Sequence, residues 1–194
     1  MGNRRAVFLD RDGTICEELG YINHPSRLMV YPWAAQAIQK INQAGMKAIV
    51  VSNQSGVARG YFDEPLVNAI NLKMQAELEI SGARLDAVYY CPHHPCALVP
   101  AYRADCACRK PKPGMALQAA QVFNLDLSGS FVIGDRYGDI QLAHNIGAGS
   151  IFILTGYGRG EFESRRHTWP TAPDHIAENL LTAVEWVLSA LNNY

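Results

Sequence analysis

The stretch FLDRDGT, Phe8 to Thr14, decides how the rest of the sequence is interpreted. It completes the apolar run AVFL (6–9) and places two carboxylates, Asp10 and Asp12, directly after that run. A short run that is apolar throughout is typical of a strand buried on both faces of a sheet. The two acids therefore stand at the carboxyl end of a predicted strand. A polar turn would explain them if they stood alone, but polar residues also follow the other predicted strands.

Apolar runs of this kind alternate with helical patterns along the chain. The predicted strands are AVFL (6–9), AIVV (48–51), AVYY (87–90), FVIG (131–134) and IFIL (151–154). The predicted helices cover 33–44, 63–81, 113–123, a short stretch from 138, and 175–191. This alternation predicts an α/β fold, a doubly wound parallel sheet with helices on both faces (Rossmann-like). The least patterned segment, Gly156 to Asp174, is expected to be a loop.

Length and composition limit the possible functions. The chain has 194 residues, of which 48% are hydrophobic, so we expect a single domain over 1–194 with a substantial core. The formal net charge of -1 gives no general attraction to nucleic acid or to an anionic membrane. No apolar run reaches about 18 residues, and the start of the chain lacks the apolar region of a secretory signal. We therefore expect a cytoplasmic monomer with a small-molecule partner, no nucleic acid and no membrane.

Candidate site residues follow the strands, where ligands of open α/β sheets bind. Besides Asp10 and Asp12, these residues are Ser52, Asn53, Arg109, Lys110, Lys112, Asp135 and Asp139. Two pairs of acids, a hydroxyl and a lysine are what phosphoryl transfer to a carboxylate requires. A divalent cation bound by oxygen ligands would screen the repulsion between the carboxylate and the phosphate. We expect Asp10 and Asp135 to hold that cation, Mg²⁺.

The motifs DRDGT, SN, a later lysine and GDRYGD resemble, in that order, those of the haloacid dehalogenase-like phosphohydrolase superfamily. The resemblance implies a phosphatase in which Asp10 is the nucleophile and becomes an aspartyl-phosphate. It implies that Asp12 protonates the leaving oxygen and later deprotonates the attacking water. The backbone carbonyl of Asp12 would ligate the metal together with Asp10 and Asp135.

The same resemblance implies roles for the remaining polar residues. Ser52 and Asn53 would hydrogen-bond the phosphoryl oxygens, and Lys110 would stabilise their charge in the transition state. Asp139 would be an acid beside the metal that does not bind it directly. Each of these features stands at a predicted strand end or at a predicted helix start.

A second candidate metal site lies in a loop rich in cysteine and histidine. Four of the five cysteines fall between 91 and 108, and three of these stand in the patterns C-x-H and C-x-C, which 12 residues separate. Three thiolates and one imidazole suit a tetrahedral structural Zn²⁺. The expected ligands are Cys91, His93, Cys106 and Cys108. His94 and Cys96 are competing candidates, and reduced cysteines without a metal are the alternative. Because Cys108 precedes Arg109 directly, a stiff loop would also hold the neighbouring cations.

Within the superfamily, SNQSGVARGYF, CPHHP and CRKPKPGM closely resemble the D-glycero-D-manno-heptose 1,7-bisphosphate phosphatases, and the likeness covers 6 to about 156. The resemblance implies removal of the C7 phosphate in the biosynthesis of nucleotide-activated heptose for cell-surface lipopolysaccharide. It implies catalytic Mg²⁺, structural zinc and no large cap domain. It also implies substrate contacts by Asn53, Arg59 and Arg109. Arg136 stands where this family usually has lysine, which leaves the identity of the substrate less certain than the reaction.

Three alternatives remain open at this point. Histidinol-phosphate phosphatase shares the motifs and a similar zinc loop. A zinc-stabilised nucleic-acid-binding module would use RKPK as a phosphate grip, but the near-zero net charge argues against it. A catalytically silent scaffold would not need to keep both acids of DRDGT, the lysine and Asp135.

Overall fold

A computed structural model describes residues 4–192, so 1–3 and 193–194 of the expected domain lie outside the described part. Its centre is a parallel sheet of six strands in the order β3-β2-β1-β4-β5-β6. The strands are β1 (Ala6–Leu9), β2 (Lys47–Asn53), β3 (Ala87–Cys91), β4 (Phe131–Gly134), β5 (Gly149–Ile153) and β6 (His175–Ala177). The order reverses between β1 and β4, and a crevice for ligands is expected at that point.

Six α-helices accompany the strands. They are α1 (Ala34–Gln43), α2 (Glu64–Ile80), α3 (Gly114–Phe123), α4 (Tyr137–Ile146), α5 (Gly158–Arg165) and α6 (Leu180–Asn192). Asp63 caps α2 by accepting a hydrogen bond from the backbone N–H of Leu66 at 3.0 Å. The doubly wound fold expected from the sequence is confirmed. Within 4–192, no helix combines the length and the apolar character needed to cross a membrane.

The burial of β1 explains why its sequence is apolar throughout. All four of its residues have no exposed surface. Val7 and Leu9 pack in a cluster with residues of α1, α2 and α6, whereas Ala6 and Phe8 pack in a second cluster with residues of α3 and α4. Both faces of the strand therefore lie in the core. Asp10 is the first residue after the strand, and here the chain can again present a polar side chain.

Two expectations for the last third of the chain are wrong. The segment from Gly156 to Asp174 is not a loop throughout, because it contains α5 and a 3-10 turn, Arg166–Thr168. The helix expected over 175–191 begins only at Leu180, and its first three expected residues form β6. The sequence of α5, GRGEFESR, has two glycines and no apolar stripe, so no periodic signal marks it.

The two glycines of α5 should respond oppositely to alanine. A Cβ on Gly158 would collide with the backbone carbonyl of Ile153, which cannot move aside, whereas a Cβ on Gly160 would meet nothing within 4 Å. We expect Gly158→Ala to lower the free energy of unfolding by about 1–3 kcal/mol through overpacking. We expect Gly160→Ala to keep or raise it, by up to about 1 kcal/mol, because alanine favours the helix. Urea unfolding of both variants measures the difference, and equal effects would contradict this packing.

Candidate active site

A cavity of about 510 Å³ lies at the carboxyl ends of β1, β2 and β4. Parallel strands bring their carboxyl ends to one edge of the sheet, so residues far apart in sequence meet there. The predicted site residues that line the cavity are Asp10, Asp12, Ser52, Asn53, Arg109, Lys110 and Asp139. The cavity therefore lies at the point where the strand order reverses.

Lys110 forms ion pairs with an acid that follows β1 and with an acid of α4. Its Nζ lies 2.8 Å from Oδ1 of Asp10 and 2.6 Å from Oδ1 of Asp139. The lysine is 7% exposed and Asp10 is 9% exposed, so water screens these pairs little. Burial opposes the charge on Lys110, but the two carboxylates outweigh burial and raise the pKa of the lysine. An ammonium group is thus held against the carboxylate of Asp10.

The backbone of Lys110 is positioned by Asn53, the last residue of β2. The side-chain Nδ2 of Asn53 donates to the carbonyl of Lys110 at 3.1 Å, and the N–H of Lys110 donates to Oδ1 of Asn53 at 3.0 Å. This pair of hydrogen bonds fastens the loop that carries the lysine to the edge of the sheet. Sequence reasoning missed this use of Asn53, and its contact with substrate stays a prediction.

Asp135 is the most deeply buried acid of the site. Its Oδ2 accepts a hydrogen bond from the N–H of Tyr157 at 2.8 Å, while its Oδ1 is buried and finds no partner among the described residues. Burial raises the pKa of Asp135 well above its usual range, and the negative charges of Asp10 and Asp139 raise it further. Burial also raises the pKa of Asp10 to about 6, although Lys110 opposes the shift.

The three acids could hold a divalent cation. Asp10, Asp135 and Asp139 each place a carboxylate oxygen within 4.8 Å of the others, and Lys110 alone cannot balance three negative charges. Asp139 uses both oxygens, Oδ1 on Lys110 and Oδ2 on the N–H of Arg136, whereas Asp135 keeps a buried oxygen without a partner. The donor set therefore fits a hard cation bound through Asp10 and Asp135, with Asp139 beside it.

The glycine of DRDGT leaves room for this cluster. Gly13 has a φ of +81°, and a Cβ at this position would collide with the carboxylate of Asp135. A side chain would therefore be strained in this backbone conformation and would also displace the buried acid. A glycine follows the two acids because the loop after β1 passes too close to Asp135 for any side chain to fit.

The cysteine loop also forms a compact cluster. The Sγ of Cys108 lies 3.0 Å from that of Cys91, 3.1 Å from that of Cys106 and 3.5 Å from Nδ1 of His93. All four ligand atoms lie within 4.8 Å of one another, and the cysteines are not joined in disulfides. Three sulfurs and one imidazole nitrogen at this spacing could hold zinc.

The competing ligands lie outside that cluster. Cys96 is exposed, and its N–H donates to Nδ1 of His94 at 3.0 Å. The cluster instead reaches the cavity through Arg109, which follows Cys108 and donates to the carbonyl of His93 at 3.2 Å. A metal bound by the four residues would thereby stiffen the chain that presents Arg109 to the cavity.

Two predicted cations do not line the cavity. Lys112 pairs with the exposed Asp105 at 2.5 Å. Arg59 follows Ala58, whose carbonyl accepts hydrogen bonds from the N–H groups of Leu98 and Val99 in the cysteine loop. The contact of Arg59 with substrate stays a prediction.

One wall of the cavity consists mostly of residues that sequence reasoning did not place in the site. Arg136 lies 4.3 Å from the centroid of the Tyr157 ring, and its Nε is 3.4 Å from Oε2 of Glu161. Arg165 of α5 also lines the cavity. Three of these residues come from the segment expected to be a loop, where no periodic pattern indicated that they face the site. Glu18 also lines the cavity, and burial, followed by the charge of Asp12, raises its pKa to about 7.

Known proteins resemble this chain over almost its whole length. A family model described as "HAD-hyrolase-like" matches residues 107–183. The D-glycero-D-manno-heptose-1,7-bisphosphate 7-phosphatase of Thermosynechococcus vestitus is 43% identical over 193 residues, 97% of either chain. The chain belongs to the HAD-like hydrolases. The D-glycero-beta-D-manno-heptose-1,7-bisphosphate 7-phosphatase of Escherichia coli K12 is 36% identical over 188 residues, which are 96% of this HAD-like hydrolase and 89% of the relative.

A solved structure is similar to this protein in its three-dimensional fold. The crystal structure of D,D-heptose 1,7-bisphosphate phosphatase from B. bronchiseptica, complexed with magnesium and phosphate, matches this HAD-like hydrolase with a TM-score of 0.84. The two are 33% identical, and the match covers 96% of this chain and 99% of the other. The resemblance expected from the order of the motifs is confirmed.

The cysteine cluster of this HAD-like hydrolase predicts a measurable metal content. We expect elemental analysis of the purified protein to give about one zinc per chain. Replacing Cys106 with Ser should remove the zinc and lower the free energy of unfolding by on the order of 3 kcal/mol or more, because an open loop loses its cross-link. Cys96→Ser is the matched control and should keep both zinc and stability. Zinc-free protein with unchanged stability would contradict this expectation.

Proposed function

We propose that the chain is a Mg²⁺-dependent phosphatase that removes the C7 phosphate of D-glycero-D-manno-heptose 1,7-bisphosphate, a step in making nucleotide-activated heptose. The observation that carries this proposal is the ion-paired set of Asp10, Lys110 and Asp139 at the point where the strand order reverses. It lies in a chain that is 43% identical, over nearly its full length, to a 7-phosphatase of this bisphosphate.

Asp10 is the proposed nucleophile. One of its carboxylate oxygens forms a bond to phosphorus as the bond between phosphorus and the C7 oxygen breaks, which yields an aspartyl-phosphate. Lys110, 2.8 Å from Asp10, would stabilise the charge that develops on the phosphoryl oxygens. Asp10, Asp135 and the backbone carbonyl of Asp12 would hold Mg²⁺, which when bound screens the repulsion between the two anions.

Asp12 is the proposed general acid and base. It gives a proton to the C7 oxygen as that oxygen leaves, and it takes a proton from the water that then attacks the phosphorus of the aspartyl-phosphate. The second step frees phosphate and restores the carboxylate of Asp10. Ser52, which is 3% exposed and lines the cavity, is proposed to donate its hydroxyl proton to a phosphoryl oxygen.

The charges of the cavity wall support a bisphosphate as the substrate. Arg109 and Arg136 both line the cavity outside the group of three acids, so they can meet a second phosphate while the first faces Asp10. Asn53 and Arg59 are further proposed contacts. Histidinol phosphate, the rival substrate, carries one phosphate and an amine, and an amine gains nothing from two guanidinium groups. The arginines therefore favour heptose bisphosphate.

We further propose that the chain works as one monomeric, cytoplasmic domain that carries a structural zinc at 91–108. The relative from Thermosynechococcus vestitus is matched over 97% of its own length, which supports a unit of this size. The formal net charge of -1 supports a phosphosugar partner over nucleic acid or a membrane surface. The nucleic-acid-binding alternative would need RKPK as a phosphate grip, but Lys110 of that stretch is buried against Asp10 and Asp139.

Phosphate release from candidate substrates tests the proposed reaction. We expect turnover of heptose 1,7-bisphosphate that stops when EDTA removes Mg²⁺ and returns when Mg²⁺ is added, with one anomer preferred. Histidinol phosphate should be turned over at least about 10-fold less well by kcat/KM, since it lacks the second phosphate. A clear preference for histidinol phosphate would overturn the substrate, and activity unaffected by EDTA would overturn the metal requirement.

A pair of aspartate variants controls this assay. Asp10→Asn keeps the shape of the side chain but removes the nucleophile, so we expect turnover to fall by about 10³-fold or more while the thermal unfolding transition remains. Asp105→Asn changes an exposed carboxylate that pairs with Lys112 outside the cavity and should leave turnover unchanged. Substantial activity in Asp10→Asn would exclude this residue as the nucleophile.

A further inference from the structure

The carboxylate of Asp12 is held very differently at its two oxygens. Oδ2 accepts a hydrogen bond from Nη2 of Arg11 at 2.8 Å and another from Nε2 of Gln54, also at 2.8 Å. Oδ1 accepts from Nε of Arg11 alone, at 3.1 Å, and that nitrogen is shared with Oδ2 at 3.2 Å. Two short hydrogen bonds occupy the lone pairs of Oδ2, whereas Oδ1 keeps capacity for another partner.

Arg11 is itself fixed from behind by α2. The guanidinium is 2% exposed, and its Nη1 donates to Oδ1 of Asn71 at 3.0 Å. Asn71 is 6% exposed, and neither Arg11 nor Asn71 is among the residues that line the cavity. A buried, planar guanidinium with donors engaged on both sides cannot turn without leaving a donor unpaired. Asn71 thus sets the plane of Arg11, and Arg11 sets the plane of the Asp12 carboxylate.

Gln54 links Asp12 to Ser52. Its Nε2 donates one proton to Oδ2 of Asp12 and the other to Oγ of Ser52, both at 2.8 Å. Because Oγ of Ser52 accepts from Gln54, the hydroxyl proton of Ser52 is left to donate elsewhere. The same amide therefore orients the general acid and the hydroxyl proposed to bind the phosphoryl group.

On the basis of the proposed function, we infer that Arg11, Asn71 and Gln54 are positioning residues that leave Oδ1 of Asp12 as the atom that exchanges the proton. A proton on Oδ2 would compete with two donors that already point at this oxygen, so a neutral Asp12 carries its proton on Oδ1. From there the proton passes to the C7 oxygen as the bond between that oxygen and phosphorus breaks. In the second step Oδ1 takes a proton from the attacking water. None of the three residues needs to touch the reacting atoms.

Asn71 offers the cleanest test, because it contacts Asp12 only through Arg11. Asn71→Leu removes the acceptor for Nη1 at similar volume, and Asn71→Asp restores an oxygen at the same place. Asn68→Leu removes an exposed amide from the same helix and is the matched control. Each variant is assayed with heptose bisphosphate, whose alcohol needs a proton to leave, and with p-nitrophenyl phosphate, whose phenolate leaves without one.

The two substrates should respond differently in Asn71→Leu. For heptose bisphosphate we expect kcat/KM to fall by about 10-fold or more, because general acid catalysis contributes about 10²–10⁴. For p-nitrophenyl phosphate, kcat/KM should change less than about threefold, since this parameter stops at formation of the aspartyl-phosphate. Its kcat should fall, with a burst of nitrophenolate, because Asp12 must still activate water. Asn71→Asp should recover most of the loss, and Asn68→Leu should behave as wild type.

Equal loss of kcat/KM for both substrates in Asn71→Leu would overturn the inference, since a general structural effect does not distinguish leaving groups. Wild-type values for both substrates would also overturn it. If Asn71→Leu does not fold, the smaller change Asn71→Ala carries the same test, with the same difference between substrates expected. If wild type cleaves p-nitrophenyl phosphate but not heptose bisphosphate, the proposed substrate has failed. The comparison is then made with whichever alkyl phosphate wild type does cleave, which still decides the role of Asn71.

Discussion

The rest of the site depends on the charge balance among three acids and one lysine at the edge of the sheet. Asp10, Asp135 and Asp139 bring carboxylates within 4.8 Å of one another, and Lys110 is the ammonium group held between two of them. In a buried setting, such a set is stable only with further positive charge or with bound protons. The raised pKa values of Asp10 and Asp135 show the same imbalance, because each buried carboxylate binds a proton more readily than it would in water. A divalent cation meets it and also makes Asp10 approachable for a phosphate anion.

The location of Lys110 in turn depends on two supports that are distant in sequence. Asn53 holds its backbone to the end of β2, and the cysteine cluster holds the residues just before it. Between Cys91 and Cys108 the chain forms only a short 3-10 turn, so a bound metal would supply the order that secondary structure does not. Helix α2 gives comparable support to the acid, since Asn71 anchors the guanidinium beside Asp12. The cysteine cluster packs with one of the two core clusters and α2 with the other, so the two halves of the proposed reaction have separate supports.

Sequence reasoning correctly predicted the features that a local sequence pattern determines, namely the five apolar strands and the acids at their ends. The five apolar runs are strands because buried parallel strands tolerate few polar residues, and Asp10 meets the later acid pair because parallel strands end at a common edge. It failed at β6, which has three residues, and at α5, whose glycine-rich sequence is helical through tertiary contacts. The bond from Arg11 to Asn71 spans 60 positions, and no spacing in the sequence indicates it. Side-chain networks of this kind depend on packing that only the folded chain defines.

The most direct test of this account is a crystal structure of the protein with Mg²⁺ and beryllium fluoride, a mimic of the aspartyl-phosphate. The account predicts beryllium bonded to a carboxylate oxygen of Asp10, fluorine in contact with Nζ of Lys110, and the metal ion bound by Asp10 and Asp135. Beryllium on another carboxylate, or a mimic bound away from Lys110, would contradict it.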